Sequence, residues 1–62
     1  MNLIEIKAGT VFTGKMDHWR DDLFLKLYDG RLVSLSNPNI LWKNRNYDFK
    51  NFKEVDIEIT IL

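Results

Sequence analysis

The chain has 62 residues, enough for one small domain and too few for two hydrophobic cores. Nine Lys and Arg balance nine Asp and Glu, and cysteine is absent. This composition excludes a disulfide-stapled scaffold, a cysteine-based zinc site and a generally basic nucleic-acid coat. Because no apolar run is long enough to span a membrane and Met1–Glu5 lacks a signal-peptide pattern, we expect a cytoplasmic protein without membrane association.

Hydrophobic residues make up 45% of the chain, which is more than a core of this size is expected to hide. Neither a disulfide nor a metal is expected to reinforce so small a domain, and association with another chain is the remaining source of stability. We therefore expect a homo-oligomer with part of the apolar surplus at its interface.

Alternation of apolar and polar residues, which is typical of strands, runs through most of the chain. The first strand-like segments are Ile4–Lys7 and Thr10–Thr13, followed by a polar loop over residues 14–22. Two further runs flank an Asp-Gly turn and predict a hairpin. After the break at residues 37–39, the segment 40–53 is open between strand and loop, and alternating isoleucines from residue 55 onward predict the last strand.

The register of the hairpin follows from its side-chain pattern. A three-residue loop over residues 28–30, with Gly30 in the left-handed conformation, pairs Leu25 with Val33 and Leu27 with Arg31. This register places five aliphatic residues on one face, which we predict to be the core face: Leu23, Leu25, Leu27, Val33 and Leu35. The opposite, outer face then carries Phe24, Lys26, Leu32, Ser34 and Ser36.

Five or six short strands predict a single all-β domain that spans residues 1–62. A small SH3-like antiparallel barrel is the first choice, because closure of the sheet removes its exposed strand edges. The alternative is an open antiparallel sheet that dimerises.

One stretch of the chain carries a family resemblance. It combines, in order, Gly9-Thr10-Val11-Phe12, a variable loop, Leu23-Phe24-Leu25-Lys26-Leu27, Asp29-Gly30 and Val33-Ser34-Leu35. This stretch resembles short β-rich proteins of unassigned function encoded by tailed bacteriophages. The resemblance covers about half of the chain and implies a phage or prophage product that binds a host or phage protein in the bacterial cytoplasm. It implies no functional residues.

Signals for catalysis are nearly absent from the sequence. There is no cysteine nucleophile and no glycine-rich phosphate loop, and the only histidine, His18, lies among the carboxylates Asp17, Asp21 and Asp22 of a polar loop. One histidine without a second nitrogen ligand is a poor transition-metal site. We therefore expect no enzymatic activity, no cofactor and no metal.

Protein binding has the strongest physical motive, because tryptophan and other large side chains dominate binding hot spots. Two candidates fall on the predicted outer face and three lie in or beside loops. The predicted protein-binding residues are Trp19, Phe24, Leu32, Ile40 and Trp42. The competing interpretation is that Ile40 and Trp42 close one end of the core, and that Trp19 packs back across it instead of facing a partner.

The favoured function is accordingly a non-enzymatic, phage-encoded inhibitor or modulator of a host protein. One alternative is a small barrel that binds single-stranded nucleic acid through basic and aromatic residues, namely Trp42, Lys43, Arg45, Tyr47 and Lys50. Three acids that follow this segment, Glu54, Asp56 and Glu58, oppose a phosphate backbone there. Further alternatives are a binder of a nucleotide-like small molecule and a structural protein of the virion.

Overall fold

The computed structural model describes residues 1–56; the isoleucine-rich end of the predicted last strand, residues 57–62, lies outside the described residues. Five antiparallel strands form one sheet: β1 (Val11–Lys15), β2 (Asp21–Lys26), β3 (Leu32–Ser34), β4 (Leu41–Trp42) and β5 (Lys50–Glu54). The strand order is β4-β3-β2-β1-β5, so the first four strands form a meander and β5 returns beside β1.

This architecture confirms the all-β prediction. It matches the open antiparallel sheet that was the alternative, because β4 and β5 lie at opposite edges of the sheet. Closure into the SH3-like barrel, the first choice, is not shown. Within residues 1–56, no helix is long and apolar enough to cross a membrane.

The N-terminal segment differs from its prediction, because a 3₁₀ helix at Leu3–Glu5 replaces the expected strand. The Asn2 side chain caps this helix, since its Oδ1 accepts a hydrogen bond from the Ile4 backbone N–H at 3.0 Å. The turn buries Leu3 and Ile6 in the core and leaves Ile4 61% exposed. The alternation of residues 4–7 failed as a signal because a local side-chain cap offered the backbone another set of hydrogen bonds.

The β2–β3 hairpin has the predicted register. Leu25 pairs with Val33, and the Leu27 N–H donates to the Arg31 carbonyl at 2.7 Å. Gly30 has a φ of 90°, in the left-handed region that the three-residue loop requires. The predicted loop is therefore confirmed.

The assignment of the two hairpin faces, in contrast, is wrong, because the predicted outer face is the core. Phe24, Leu32 and Ser34 are fully buried. Of the five residues predicted as core, Val33 is buried, whereas Leu23, Leu25, Leu27 and Leu35 are only half-buried. Phe24 and Leu32 therefore do not lie on an outer face, as their selection as binding residues required.

Hydrogen bonds explain how the more polar face of the hairpin is buried. Lys26 is 7% exposed, and its Nζ donates to the Leu3 carbonyl at 2.8 Å. The Ser34 hydroxyl donates to Asp22 at 2.6 Å. These hydrogen bonds offset part of the cost of removing the ammonium and hydroxyl groups from water, so both residues can share a face with the large ring of Phe24.

The core itself is largely aromatic and lies on one side of the sheet. The Phe12 ring centroid is 5.0 Å from that of Phe49 and 5.5 Å from that of Phe24. Aromatic pairs at these separations add stability beyond their buried area. The buried cluster consists of Leu3, Ile6, Phe12, Met16, Phe24, Leu32 and Phe49.

The segment 40–53, left open between strand and loop, contains both. It comprises β4, a loop over residues 43–49, and β5. The register of β5 against β1 shifts between Thr13 and Lys15, and Asn51 on the shifted strand has a φ of 56°. This irregularity is typical of a β-bulge, and Phe52 on the same strand packs against the core cluster.

Candidate interaction surface

The sheet face opposite the core carries a patch of aliphatic side chains. We call it the aliphatic face; it consists of Val11, Leu23, Leu25, Leu27, Val33, Leu35 and Leu41. Strand registers bring four of them into one row across the sheet, in the order Leu41, Val33, Leu25 and Val11. Each comes from a different neighbouring strand, so the row crosses β4, β3, β2 and β1 without a charged residue.

This face offers apolar surface that no described strand covers. Within residues 1–56, every extensive contact between strands joins neighbours in the sheet, so none of the strands packs on the face. Val11 and Val33 are buried, Leu25 is half-buried, and Leu41 at the β4 edge is 49% exposed. The accessible apolar surface of the face is therefore supplied by the half-buried leucines and by Leu41, and exposed aliphatic side chains that lie together are a common feature of protein-binding sites.

The margins of the aliphatic face are polar. At one end of the β1–β2 pair, Lys15 stands opposite Asp21 in register. At the hairpin loop, the Arg31 Nε lies 2.6 Å from Asp29 Oδ2. An apolar centre with a charged rim is the usual anatomy of a protein interface.

Sequence analysis therefore identified five of the seven residues of the aliphatic face, but it predicted that they form the core. Val11 and Leu41 were missed, because their place in the row depends on the pairing of β1 with β2 and of β3 with β4. For Val11, the available signal was its place as an apolar residue in the strand-like segment Thr10–Thr13. No local signal marked Leu41 as a neighbour of Val33.

Of the predicted protein-binding residues, the two tryptophans lie together against the core. Their ring centroids are 5.3 Å apart in an edge-to-face arrangement, and the Trp42 ring is also 5.8 Å from that of Phe24. Both tryptophans are half-buried, as is Ile40, which follows the turn at residues 37–39. This arrangement matches the competing interpretation, in which Trp19 packs back and Trp42 closes one end of the core.

A hydrogen-bond network explains why Trp19 occurs in so polar a loop. Its indole N–H donates to Asp22 Oδ2 at 2.8 Å, and the Arg20 guanidinium lies 4.9 Å above its ring. The same Asp22 oxygen accepts from the Ser34 hydroxyl, so the carboxylate links the β1–β2 turn to β2 and β3. The polar neighbours of Trp19 thus hold its ring against the protein.

The pKa of Asp22 reflects this network. Burial of the carboxyl raises its pKa, but the hydrogen bonds from Ser34, Trp19, Ser36 and the Leu23 N–H together lower it to about 2. The side chain of Asp22 is 5% exposed. The carboxylate is thus a structural anion that joins three segments, and all of its identified partners are donors from the chain itself.

The residues predicted to bind nucleic acid divide into two groups. Lys43, Arg45 and Lys50 are exposed, whereas Trp42 and Tyr47 are half-buried and pack against the core. The two aromatic residues line a cleft of about 460 Å³ between the β1–β2 turn and the loop after β4. The remaining lining residues of this cleft are Met16, Asp17, His18, Asn46 and Asp48.

The chemistry of this cleft does not favour phosphate. Two of the lining side chains, Asp17 and Asp48, are exposed carboxylates, which repel an anionic backbone. Nor does the cleft supply a metal site, because no cluster of three or more His, Cys, Asp or Glu suited to a metal ion occurs in the part of the chain that the structure describes.

Comparisons with known proteins give no further guidance: no protein-family model, no curated protein and no solved structure matches the chain. Function must therefore be inferred from the residues and geometry of this chain alone. The resemblance to short phage proteins stays an expectation.

Proposed function

We propose that this chain is a non-enzymatic protein-binding module that assembles with a second copy of itself through the aliphatic face. The observation that carries the proposal is the uncharged row Leu41, Val33, Leu25 and Val11, which crosses four strands on a face that no described strand covers. Removing aliphatic surface from water is the main favourable contribution to protein association.

A second copy suits this face for three reasons. Two sheets pack face to face at about 10 Å, with their side chains interdigitated, and an aliphatic sheet face suits such packing. Leucines alternate with valines along the row, so the longer side chains of one copy can lie over the shorter ones of the other. The formal net charge is zero, and two copies therefore meet without overall repulsion.

The role of such an assembly is that of a phage-encoded inhibitor or modulator of a host protein in the bacterial cytoplasm. The resemblance to short phage proteins supports this role, and so does the small size of the chain. In this proposal the homo-oligomer is the binding-competent form, and the host protein contacts surfaces outside the aliphatic face.

The experiment that tests self-assembly is size-exclusion chromatography with light scattering over a dilution series. The Leu41→Asp variant places a charge in the row at an edge position that is already half exposed, so the fold tolerates it. We expect a dimer for the unaltered chain and a dissociation constant at least about tenfold higher for this variant, because a charge must be buried at the interface.

The matched control is Ile4→Asp, the same change in charge at an exposed aliphatic residue of the 3₁₀ helix, on the core side of the sheet. This variant is expected to dimerise like the unaltered chain. Circular dichroism of both variants verifies that they fold. A chain that is monomeric at every concentration, or one that loses dimerisation equally in both variants, would contradict the proposal.

A further inference from the structure

We infer that the cleft between the β1–β2 turn and the loop after β4 binds a cationic side chain, an arginine or lysine of a protein partner. The cleft combines aromatic walls with two carboxylates, which is the chemistry that recognises an ammonium or guanidinium group. The cleft is separate from the proposed dimer interface, because Trp42 faces the core side of β4 while its neighbour Leu41 faces the other side.

The aromatic walls of the cleft are held in place by the core. The Trp42 ring packs edge-to-face against both Trp19 and Phe24. Tyr47 is half-buried, and its backbone carbonyl accepts a hydrogen bond from the Leu3 N–H at 2.8 Å. Walls fixed in this way lose little conformational freedom when a ligand enters, so most of the contact energy is available for binding.

The charge at the cleft is negative. Asp17 comes from the β1–β2 turn and Asp48 from the loop after β4, so the two carboxylates stand on different segments of the lining. The Asn2 amide donates to Asp48 Oδ1 at 3.1 Å, which orients this carboxylate. A guanidinium group can stack on an aromatic ring while its N–H groups bond a carboxylate, and the cleft supplies both partners.

Positive side chains from the same region do not line the cleft. Lys43 and Arg45 belong to the loop after β4, but neither lines the cleft. The volume, about 460 Å³, lies within the range of roughly 300–1,000 Å³ that is typical of ligand sites. An extended cationic side chain with part of its backbone therefore fits by size and by charge.

The test is an NMR titration of the full chain, isotopically labelled, with the capped peptide acetyl-Gly-Arg-Gly-amide. We expect saturable shifts of the Trp42 indole N–H and of the Tyr47 signals. The peptide with citrulline in place of arginine has nearly the same shape without the charge. We expect it to bind at least about fivefold more weakly, since both the cation–aromatic and the charge-assisted contacts are lost.

Three variants locate the site. Asp17→Asn and Asp48→Asn are each expected to weaken binding of the arginine peptide by about threefold or more, because one carboxylate is removed from the cleft. Asp56→Asn makes the same chemical change at an exposed acid that follows β5 and does not line the cleft, and it should leave the affinity unaltered.

Two results would overturn the inference. One is equal affinity for the arginine and citrulline peptides, which would show that charge is not recognised. The other is a titration in which oligothymidylate shifts the Trp42 and Tyr47 signals and the arginine peptide does not. That outcome would assign the same aromatic residues to single-stranded nucleic acid instead.

Discussion

At the scale of single residues, the Asp22 carboxylate is held by three hydrogen bonds. It accepts from Trp19 and Ser34 side chains and from the Leu23 backbone N–H. Its neighbour Asp21 points the other way and is exposed, as the alternation of a strand requires. The two adjacent aspartates therefore differ in environment, because only the Asp22 side chain faces hydrogen-bond donors.

The pKa of Asp22 predicts a specific loss of stability in acid. Its pKa is about 2 in the folded chain and 3.8 without these contacts. The hydrogen bonds of the carboxylate therefore stabilise the fold fully above about pH 4, and this contribution, about 2 kcal/mol, disappears as the pH falls towards 2. Urea unfolding followed by tryptophan fluorescence, at about pH 5.5 and about pH 2, measures it.

Asp22→Asn should lower the free energy of unfolding at about pH 5.5 and should reduce the difference between the two pH values by about 2 kcal/mol. Asp21→Asn is the matched control and should retain the full difference. An Asp22→Asn chain with the pH dependence of the unaltered protein would show that this carboxylate is not the group responsible.

At the scale of elements, the β2–β3 hairpin depends on its loop. Gly30 combines a φ of 90° with a close neighbour, since a Cβ at this position would lie 2.5 Å from the Asn44 side-chain nitrogen. The glycine thus satisfies two constraints, one from its own backbone and one from the loop that follows β4.

Gly30→Ala is expected to lower the free energy of unfolding by about 1–3 kcal/mol, because a left-handed alanine is strained and its methyl group meets Asn44. Adding Asn44→Ala should restore only the part due to that contact. Thermal unfolding of the two single variants and the double variant separates the cost of the strained backbone from the cost of the contact with Asn44. A Gly30→Ala chain as stable as the original would rule out both constraints.

At the scale of the whole molecule, the two faces of the sheet have exchanged the roles that the hairpin pattern predicts. Both faces of the β2–β3 hairpin are apolar enough to be buried, one with leucines and valine, the other with Phe24 and Leu32. The aromatic face is the buried one because other parts of the chain pack against it. Phe12 and Phe49 supply rings, and the 3₁₀ helix supplies the carbonyl that bonds Lys26.

The two faces are distinguished by a pair of adjacent substitutions, measured on dilute, monomeric protein. Phe24→Ala removes a fully buried ring and is expected to cost about 3–5 kcal/mol of unfolding free energy. Leu25→Ala removes a half-buried side chain from the opposite face, and we expect a cost of about 1–2 kcal/mol. Urea unfolding gives both values, and a larger cost at Leu25 would reverse the assignment of the faces.

Three features could be predicted from the sequence: the all-β class, the break at residues 37–39 and the register of the hairpin. These features follow from interactions between residues close in the chain: alternation within a strand, the left-handed glycine at position 30, and proline's missing N–H. The same local patterns identified the leucines of the aliphatic face and the aromatic residues of the cleft, but they did not predict which other residues pack around them.

Three other features could not be predicted from the sequence: which hairpin face is the core, where Trp19 packs and how segment 40–53 divides into strands and loop. Each of these outcomes depends on partners distant in sequence. Lys26 donates a hydrogen bond to the Leu3 carbonyl, and Ser34 donates one to Asp22. Strand β5 forms because β1 lies beside it. The burial of a polar residue depends on whether a distant partner satisfies its hydrogen bonds, and a local pattern carries no information about that partner.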